Sequence, residues 1–196
     1  MVAAAEKVMD KKELRKRLRI TSGSLSECYK KEAGRLVAKN VTELPLFKKS
    51  KTLFIYVSTQ SEPATREIIA EAWAQGKAVY VPKCLPENRM QAVRINSFDE
   101  LHEGAWGIYE PEASDSQSHD SFDIAVIPCV SAWTDGRRLG HGAGYYDRFL
   151  EKCDAVKICL CFEKMLCDEI PVSEHDVYMD YVITEEHINE IKRNRH

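Results

Sequence analysis

The residues whose types and spacing could do chemistry are concentrated in one segment of this 196-residue chain, from Arg138 to Arg148. The segment reads RLGHGAGYYDR, in which three glycines alternate with other residues. Glycine lets the backbone come close to a ligand, and successive free N–H groups in such a loop bind phosphate. The ending of a P-loop and the spacing of a dinucleotide fingerprint are both absent. The glycines alone therefore leave two interpretations open, a phosphate-binding loop and a bare flexible turn.

The residues beside the glycines make this segment much more specific. Arg138 precedes them, and Tyr145, Tyr146 and Asp147 follow them at the predicted start of a helix. The complete pattern R-L-G-x-G-x-G-Y-Y-D-R resembles the signature of the 5-formyltetrahydrofolate cyclo-ligases. The resemblance extends over nearly the whole chain, because four further segments resemble elements of that family in the family's order: 11–15, 56–65, 106–111 and 170–176.

This resemblance implies an ATP-dependent enzyme of folate metabolism. In the family, ATP phosphorylates the formyl oxygen on N5 of 5-formyltetrahydrofolate, N10 attacks the activated carbon, and phosphate leaves to give 5,10-methenyltetrahydrofolate. The resemblance implies catalytic roles for Arg138, Tyr145 and Tyr146, and Mg²⁺ held by Asp147 and Asp176. Phosphoryl transfer depends mostly on positioning and charge stabilisation, which suits a loop of backbone donors with cations nearby. Mg²⁺ usually keeps several waters and needs few carboxylates.

The same resemblance implies two sets of binding residues. The predicted ATP-binding residues are Lys11, Lys12, Glu13, Leu14, Arg15, Arg19, Arg138, Leu139, Gly140, His141, Gly142, Ala143, Gly144, Tyr145 and Tyr146. The predicted substrate-binding residues are Val57, Glu62, Trp106, His141, Gly142, Ala143, Gly144 and Tyr145. A carboxylate at Glu62 suits a pterin ring, because it can accept two adjacent N–H groups in parallel.

Several of these residues also have a purely structural interpretation. Glu62 precedes Pro63 at a predicted helix start, where an acidic side chain is favoured as a cap or by the helix dipole. Trp106 could stack on the folate or simply anchor its loop, and His141 could contact a ligand or simply be exposed. The charges in 12–19 are also typical of a solvated helix face.

The chain departs from the family pattern just before the glycine segment. Where the family reads P-G-x-x-F-D, this chain has Pro128-Cys129-Val130-Ser131-Ala132-Trp133. An aspartate in such a turn can accept backbone hydrogen bonds, whereas Trp133 cannot. We predict that Trp133 fills the space beside Ala132, so that the fold survives with a looser phosphate loop. Asp135 lies two residues further on, and Ala143 stands where the family often has lysine.

Three classes of function compete at this point. The first is the active cyclo-ligase. The second is a folate- or nucleotide-binding paralogue that has lost turnover, which the changes at Cys129, Ala132 and Trp133 favour. The third is a sugar-phosphate isomerase or acyl-CoA-transferase-like enzyme of similar architecture, which rests on fold analogy alone.

The elements that must position these residues alternate between strand and helix. Apolar, β-branched or aromatic runs predict strands at 52–57, 78–81, 89–95, 123–128, 156–162 and 181–183. Helices are predicted around 11–19, from a capping box of Ser24 and Glu27 to Thr42, from Pro63 to Gly76, over 144–153, and after Thr184. Pro45 is expected to end the second helix.

This alternation predicts the fold class: α/β, a single three-layer α/β/α domain over residues 1–196 with a largely parallel mixed sheet, NagB/RpiA/CoA-transferase-like. Ligands of such sheets bind beyond the carboxyl ends of the strands. The loops after Val57, Pro128 and Phe162 are therefore the candidates for the walls of the site.

Composition limits the cellular context. Hydrophobic residues make up 44% and charged residues 30% of the chain. The net charge is −3, so the chain has no overall positive charge that would attract nucleic acid or an anionic membrane. The 7 cysteines include no C-x-x-C pair, so we expect buried free thiols such as Cys159 and Cys161 rather than zinc. No leader or membrane span is apparent. We expect a cytoplasmic monomer whose partners are 5-formyltetrahydrofolate and ATP with Mg²⁺.

Overall fold

Five helices and eleven strands form the regular structure of the described residues, which are 9–104, 107–113 and 120–192 in this computed structural model. The helices are α1 (Lys11–Ser24), α2 (Glu27–Glu43), α3 (Pro45–Lys49), α4 (Arg66–Ala74) and α5 (Tyr145–Glu151). The strands are β1 (Thr52–Ile55), β2 (Ala78–Leu85), β3 (Arg89–Ile95), β4 (Leu101–Glu103), β5 (Tyr109–Pro111), β6 (Ser121–Ile127), β7 (Ser131–Ala132), β8 (Arg138–Leu139), β9 (Asp154–Leu160), β10 (Tyr181–Ile183) and β11 (Ile188–Glu190).

Seven of these strands form one mixed sheet in the order β11-β10-β9-β6-β1-β2-β3. The five inner strands are parallel, and β3 and β11 pair antiparallel at the two edges. From β1 the chain continues to β2 on one side, whereas β6, β9 and β10 lie on the other. The switch point of the sheet therefore lies between β1 and β6, and a ligand crevice is expected beyond their carboxyl ends.

Helices cover both faces of the sheet, as the three-layer prediction requires. On β1, Phe54 faces one hydrophobic cluster with Leu14 of α1 and Phe149 of α5. Its neighbours Leu53 and Ile55 face the opposite cluster, which contains residues of α2, α3 and α4. Successive side chains of a strand point to opposite faces, so a strand this apolar is buried on both sides. The predicted α/β/α layering with a largely parallel sheet is confirmed.

Two predicted helix boundaries in the N-terminal region are wrong. α1 continues to Ser24, whose hydroxyl donates to the carbonyl of Thr21 at 2.7 Å, so Ser24 does not cap the next helix. The N-cap of α2 is Ser26, which accepts from the Tyr29 amide. Pro45 does more than end α2, because it occupies the first turn of the short helix α3.

Two further helix predictions are also wrong. The fourth helix begins at Arg66 rather than Pro63, because Thr65 is fully buried and holds the preceding loop through bonds to Tyr56 and Ser58. The segment after Thr184 forms β11 instead of a helix. The Thr184 hydroxyl accepts from two following amides, which is the chemistry of a tight turn as well as of a helix cap.

The expectations about thiols and membrane spans can be compared with this fold. Cys159 and Cys161 are buried free thiols, as predicted. Within the described ranges, no helix has the length and apolar character needed to cross a bilayer.

Candidate active site

A cleft of about 690 Å³ opens over the glycine segment, and we call it the loop cleft. One wall is α1, which contributes Lys11 and Arg15, and the floor is the segment from Arg138 to Arg148. Glu110 and Asp176 also line it. The resemblance predicted that the N-terminal cations and the glycines serve one ligand, and the fold brings them together.

The conformation of the loop depends on its glycines and on α1. Gly142 and Gly144 have φ values of +111° and +71°. A Cβ atom on Gly142 would lie 3.3 Å from Cζ of Arg15, whose Nε donates to the Gly140 carbonyl at 2.7 Å. The loop is therefore fastened to α1, which argues against a bare flexible turn.

Replacing Gly144 by alanine should lower the free energy of unfolding by about 1–2 kcal/mol, since positive φ is unfavourable for an L-residue. The added Cβ would lie 2.9 Å from Nη1 of Arg148, so that side chain must also move. Gly23→Ala is the matched control, because Gly23 lies in α1 with open space around it. Chemical denaturation of both variants measures the difference, and an equal effect at the two glycines would contradict the expectation.

Arg138 is directed into the protein beneath the loop cleft. Its side chain is 3% exposed, and Nη2 lies 2.7 Å from Oδ1 of Asp147. Nη1 donates to the Pro128 carbonyl at the carboxyl end of β6, whereas buried Nε has no hydrogen-bond partner among the described residues. Arg138 thus joins β6 to α5 and orients Asp147. This geometry fits a positioning residue better than a direct phosphate ligand.

The two predicted metal ligands, Asp147 and Asp176, line the same cleft. Lys11 Nζ lies 2.6 Å from Oδ1 of Asp176, and the Ser173 amide donates to Oδ2. Both carboxylates interact electrostatically with Arg15. Carboxylate oxygens are the donors that Mg²⁺ prefers, and phosphate oxygens and water can complete its shell. This donor set fits Mg²⁺ bound with a nucleotide. Asp147 would then be shared between the ion and Arg138, and Asp176 between the ion and Lys11.

A second cleft of about 380 Å³ adjoins the first, and we call it the apolar cleft. The three loops after β1, β6 and β9 meet here, as the sheet topology predicts. Its lining residues include Leu18, Arg19, Lys30, Glu62, Val130, His141, Phe162 and Met165. Among the described residues, His141 alone lines both clefts, so the two clefts meet at this side chain.

Glu62 is the buried carboxylate of the apolar cleft, with 10% of its side chain exposed. Its Oε2 accepts from the amide and hydroxyl of Thr59 at 2.9 and 2.8 Å, and Oε1 lies 3.5 Å from Nε2 of His141. Burial raises the pKa of Glu62, but the bonds from His141 and Thr59 outweigh burial and lower it. The carboxylate is therefore ionised at neutral pH. Because α4 begins at Arg66, the helix-cap interpretation of Glu62 is wrong.

The two adjacent tyrosines have different surroundings. Tyr146 packs against both hydrophobic clusters, and burial raises the pKa of its phenol well above the ordinary value. Tyr145 is half-buried and lines the loop cleft. We expected one ring to pack and the other to face the site, because neighbours on a helix point about 100° apart. Tyr146 is also half-buried and also lines the loop cleft, so the ring that packs faces the site as well and the expected division between the two tyrosines is wrong.

Some predicted binding residues lie away from the clefts. Lys12 and Glu13 are exposed, and Leu14 is buried in the core under α1. Val57 is buried at the end of β1. Arg19 is separated from Lys11 and Arg15, because it lines the apolar cleft instead of the loop cleft. The predicted contact at Trp106 lies outside the described residues.

Sequence reasoning missed Glu110 and Lys30. Glu110 lines the loop cleft, where its carboxylate pairs with Lys83 at 3.1 Å and accepts from the Cys84 amide. Lys30 lines the apolar cleft from α2. Glu110 lies in the segment 106–111, where the resemblance assigned a role to Trp106 but none to Glu110. Lys30 lies in no such segment, and tertiary packing brings both residues to the clefts.

The turn that departs from the family pattern is well ordered by its own hydrogen bonds. Trp133 and Arg137 close it with a backbone bond of 3.0 Å. Asp135 accepts from the Arg137 amide at 3.0 Å and pairs with the Arg137 guanidinium at 2.8 Å. Asp135 thus accepts a backbone hydrogen bond within the turn, which is the role expected of the aspartate that the family has at the position of Trp133. Ala132 is fully buried, and Trp133 packs at the edge of the same cluster. That Trp133 fills the space beside Ala132 stays a prediction.

Asp135→Ala should therefore loosen this turn and lower ATP affinity by about threefold to tenfold, since a net hydrogen bond contributes about 1 kcal/mol. Restoring phenylalanine at Ala132 would overpack a closed core and cost about 1–3 kcal/mol. ATP titration of Asp135→Ala beside the exposed control Asp154→Ala tests this expectation. Unchanged ATP affinity in the first variant would show that the turn does not control the loop.

A largely parallel α/β sheet with a glycine-and-cation cleft next to the cleft at its switch point is typical of α/β enzymes that bind phosphate groups. The chain belongs to the 5-formyltetrahydrofolate cyclo-ligase family, whose family model matches residues 7–185. It is 33% identical over 188 residues to the 5-formyltetrahydrofolate cyclo-ligase of Mus musculus, covering 89% of this chain and 91% of that one. It is 34% identical over 190 residues to a probable 5-formyltetrahydrofolate cyclo-ligase of Caenorhabditis elegans, covering 89% and 92%.

A solved structure supports the same assignment. The NMR structure of Aquifex aeolicus 5,10-methenyltetrahydrofolate synthetase superposes with a TM-score of 0.83 at 29% identity, covering 96% of each chain. A 5,10-methenyltetrahydrofolate synthetase from Mycoplasma pneumoniae gives a TM-score of 0.72 at 22% identity, which supports the fold.

Proposed function

We propose that this chain converts 5-formyltetrahydrofolate to 5,10-methenyltetrahydrofolate with consumption of ATP and release of ADP and phosphate. The observation that supports this most is the junction of two unlike clefts at His141. One cleft has the glycines and cations that a triphosphate needs, and the other has a buried ionised carboxylate among apolar walls. Such a pair suits one anionic and one aromatic substrate that react where they meet.

The loop cleft would hold ATP. Lys11 and Arg15 project from α1 above the loop, and the turns at Gly142 and Gly144 allow close approach of the backbone to phosphate. Cations at this position stabilise the charge that moves onto the leaving ADP. The γ-phosphate would then point along the loop towards His141.

The apolar cleft would hold the folate with its pterin ring at Glu62. Thr59 holds Oε2, so Oε1 is the oxygen that a pterin N–H group reaches, and it takes the place of the His141 contact. Release of His141 from Glu62 would leave the imidazole at the junction, beside the reacting groups. Folate binding would thereby reorganise a residue of the phosphate loop.

The chemistry at the junction consists of two displacements. The formyl oxygen attacks the γ-phosphorus of ATP, and the bond from that phosphorus to ADP breaks. N10 then attacks the formyl carbon and loses its proton, and phosphate departs with the electrons of the C–O bond. The protein would position both substrates so that the first step becomes intramolecular in effect, whereas the second joins two atoms of the same folate molecule. His141 lines both clefts and would be the side chain at the junction to accept the N10 proton.

We further propose that Asp147 and Asp176 hold Mg²⁺, and in the structure these carboxylates pair with Arg138 and Lys11. The ion would neutralise phosphate charge during the transfer. Arg138 would keep Asp147 in place, and Lys11 would move between Asp176 and the phosphates. The monomeric state and the cytoplasmic location are further proposals, to be tested by light scattering and by imaging of a tagged chain.

One assay tests the proposed activity. Purified protein is incubated with 5-formyltetrahydrofolate and Mg-ATP, and the methenyl product is followed by its absorbance together with release of ADP. Product in amounts equal to ADP supports the proposal. Binding of both ligands without product would instead support the paralogue that has lost turnover.

A further inference from the structure

The apolar cleft has charged groups of opposite sign on different elements. Glu62 follows β1, whereas Arg19 and Lys30 come from α1 and α2. The rest of the lining is mainly apolar and includes Leu18, Val130, Phe162 and Met165. A ligand that matches this cleft has hydrogen-bond donors for Glu62, an apolar body, and negative charge for Arg19 and Lys30.

Lys30 is placed to exchange its present partner for a ligand. Its side chain is only 16% exposed, and its Nζ lies 2.8 Å from Oε1 of Glu27, whose side chain is 81% exposed. An i,i+3 ion pair with an exposed partner stabilises the protein by only about 0.5 kcal/mol or less. An incoming carboxylate can therefore replace Glu27 at small cost.

Arg19 adds a second positive charge to the same cleft. Its side chain is exposed, and it lies close enough to Arg15 for the two charges to repel. Burial, followed by this repulsion, lowers the pKa of Arg15. Two neighbouring guanidinium groups are stabilised when an anion binds beside them.

We propose that Lys30 and Arg19 bind the carboxylates of the glutamate tail of the folate substrate. The inference rests on the proposed function, since it assigns the remaining part of the same ligand. The pterin would lie at Glu62, the aminobenzoyl ring between the apolar walls, and the tail against the two helices. Lys30 and Arg19 then determine specificity for the glutamate tail without touching the reacting atoms.

The test compares two ligands that differ only in the tail: 5-formyltetrahydrofolate and 5-formyltetrahydropteroate, which lacks the glutamate. Calorimetry measures both ligands with the wild-type chain, Lys30→Met and Lys31→Met. Lys31 is the matched control, because it is the next residue on α2, is exposed and does not line the cleft. Lys30→Met should weaken the tailed ligand about tenfold, as expected for a charged hydrogen bond, and leave the tail-less ligand unchanged.

Equal weakening of both ligands by Lys30→Met, or no weakening of either, would overturn the inference. Lys30→Gln serves as the second variant if the methionine variant does not fold. Wild-type turnover of 5-formyltetrahydrofolate is measured in parallel. Absent turnover counts against the proposed function, whereas normal turnover without discrimination between the ligands counts only against the roles of Lys30 and Arg19.

Discussion

Replacing Glu62 by glutamine is expected to weaken 5-formyltetrahydrofolate binding about 30- to 150-fold, which corresponds to roughly 2–3 kcal/mol for a charged hydrogen-bonded contact. Nucleotide affinity should stay nearly unchanged, because Glu62 lines the apolar cleft and not the loop cleft. Calorimetry with each ligand separately measures the two effects. Glu67→Gln is the control, since Glu67 is an exposed acidic residue in the first turn of α4.

The pH dependence of folate binding provides an independent check on Glu62. Hydrogen bonds lower the pKa of Glu62 despite its burial, so the carboxylate should remain ionised below the ordinary range of a glutamate, about 4.3. Its contribution to binding should therefore persist through mildly acidic pH and be lost only as the pH falls through the lowered value. Glu62→Gln should not show this loss. Equal weakening of ATP and folate in that variant would refute the assignment to the pterin.

Asp147→Asn is expected to raise the Mg²⁺ concentration needed for half-maximal turnover and to lower the turnover rate about 10- to 100-fold, the range seen when metal-site residues are replaced. The carboxylate lies on α5 beside the phosphate loop, where an ion would bridge it to the triphosphate. Turnover is measured against Mg²⁺ concentration. Glu151→Gln, on the same helix and in the same cleft, controls for a general loss of negative charge.

The structure also changes the stability expected of Asp147→Asn. The sequence alone predicts that this carboxylate acts on the metal and that Asp147→Asn keeps the melting temperature within a few degrees. The structure pairs it with the guanidinium of Arg138, which is 3% exposed. The amide of asparagine still accepts one hydrogen bond but brings no charge, so unfolding should become easier by about 1–3 kcal/mol. Magnesium dependence equal to that of the wild type would contradict the metal role, whatever the change in stability.

The sheet and the main parts of the site were predictable because their signals are strong and local. The apolar runs that became β6, β9 and β10 cannot be solvated, so they had to form buried strands. The glycine and tyrosine pattern around Gly142 identified a loop that lines the loop cleft. The topology also predicted that the loops after β1, β6 and β9 meet, because parallel strands present their carboxyl ends at one edge.

The errors occurred where one local signal suits two structures. Pro63 is suited to the first turn of a helix, but the buried hydrogen bonds of Thr65 extend the loop to that residue. A threonine hydroxyl accepts hydrogen bonds from amides equally well at a helix cap and in a tight turn. The local sequence therefore could not decide whether a helix or a turn follows Thr184. Lys30 reaches its cleft through packing between distant elements, which no short pattern encodes. Glu110 lies in a segment that resembles the family, but nothing local marks its carboxylate as part of the cleft.

Helix α1 is a common wall of both clefts, and this constrains how the family can vary. Lys11, Arg15 and Arg19 are spaced four residues apart, which places them along one side of the helix about 6 Å apart. Inserting or deleting one residue between Lys11 and Arg19 would rotate one of them by about 100° relative to the other. The chain could then keep one cation in its cleft only by losing the other. Under the proposed function, two ligands would together fix the length of this helical segment, and a change in one binding site would require a change in the other.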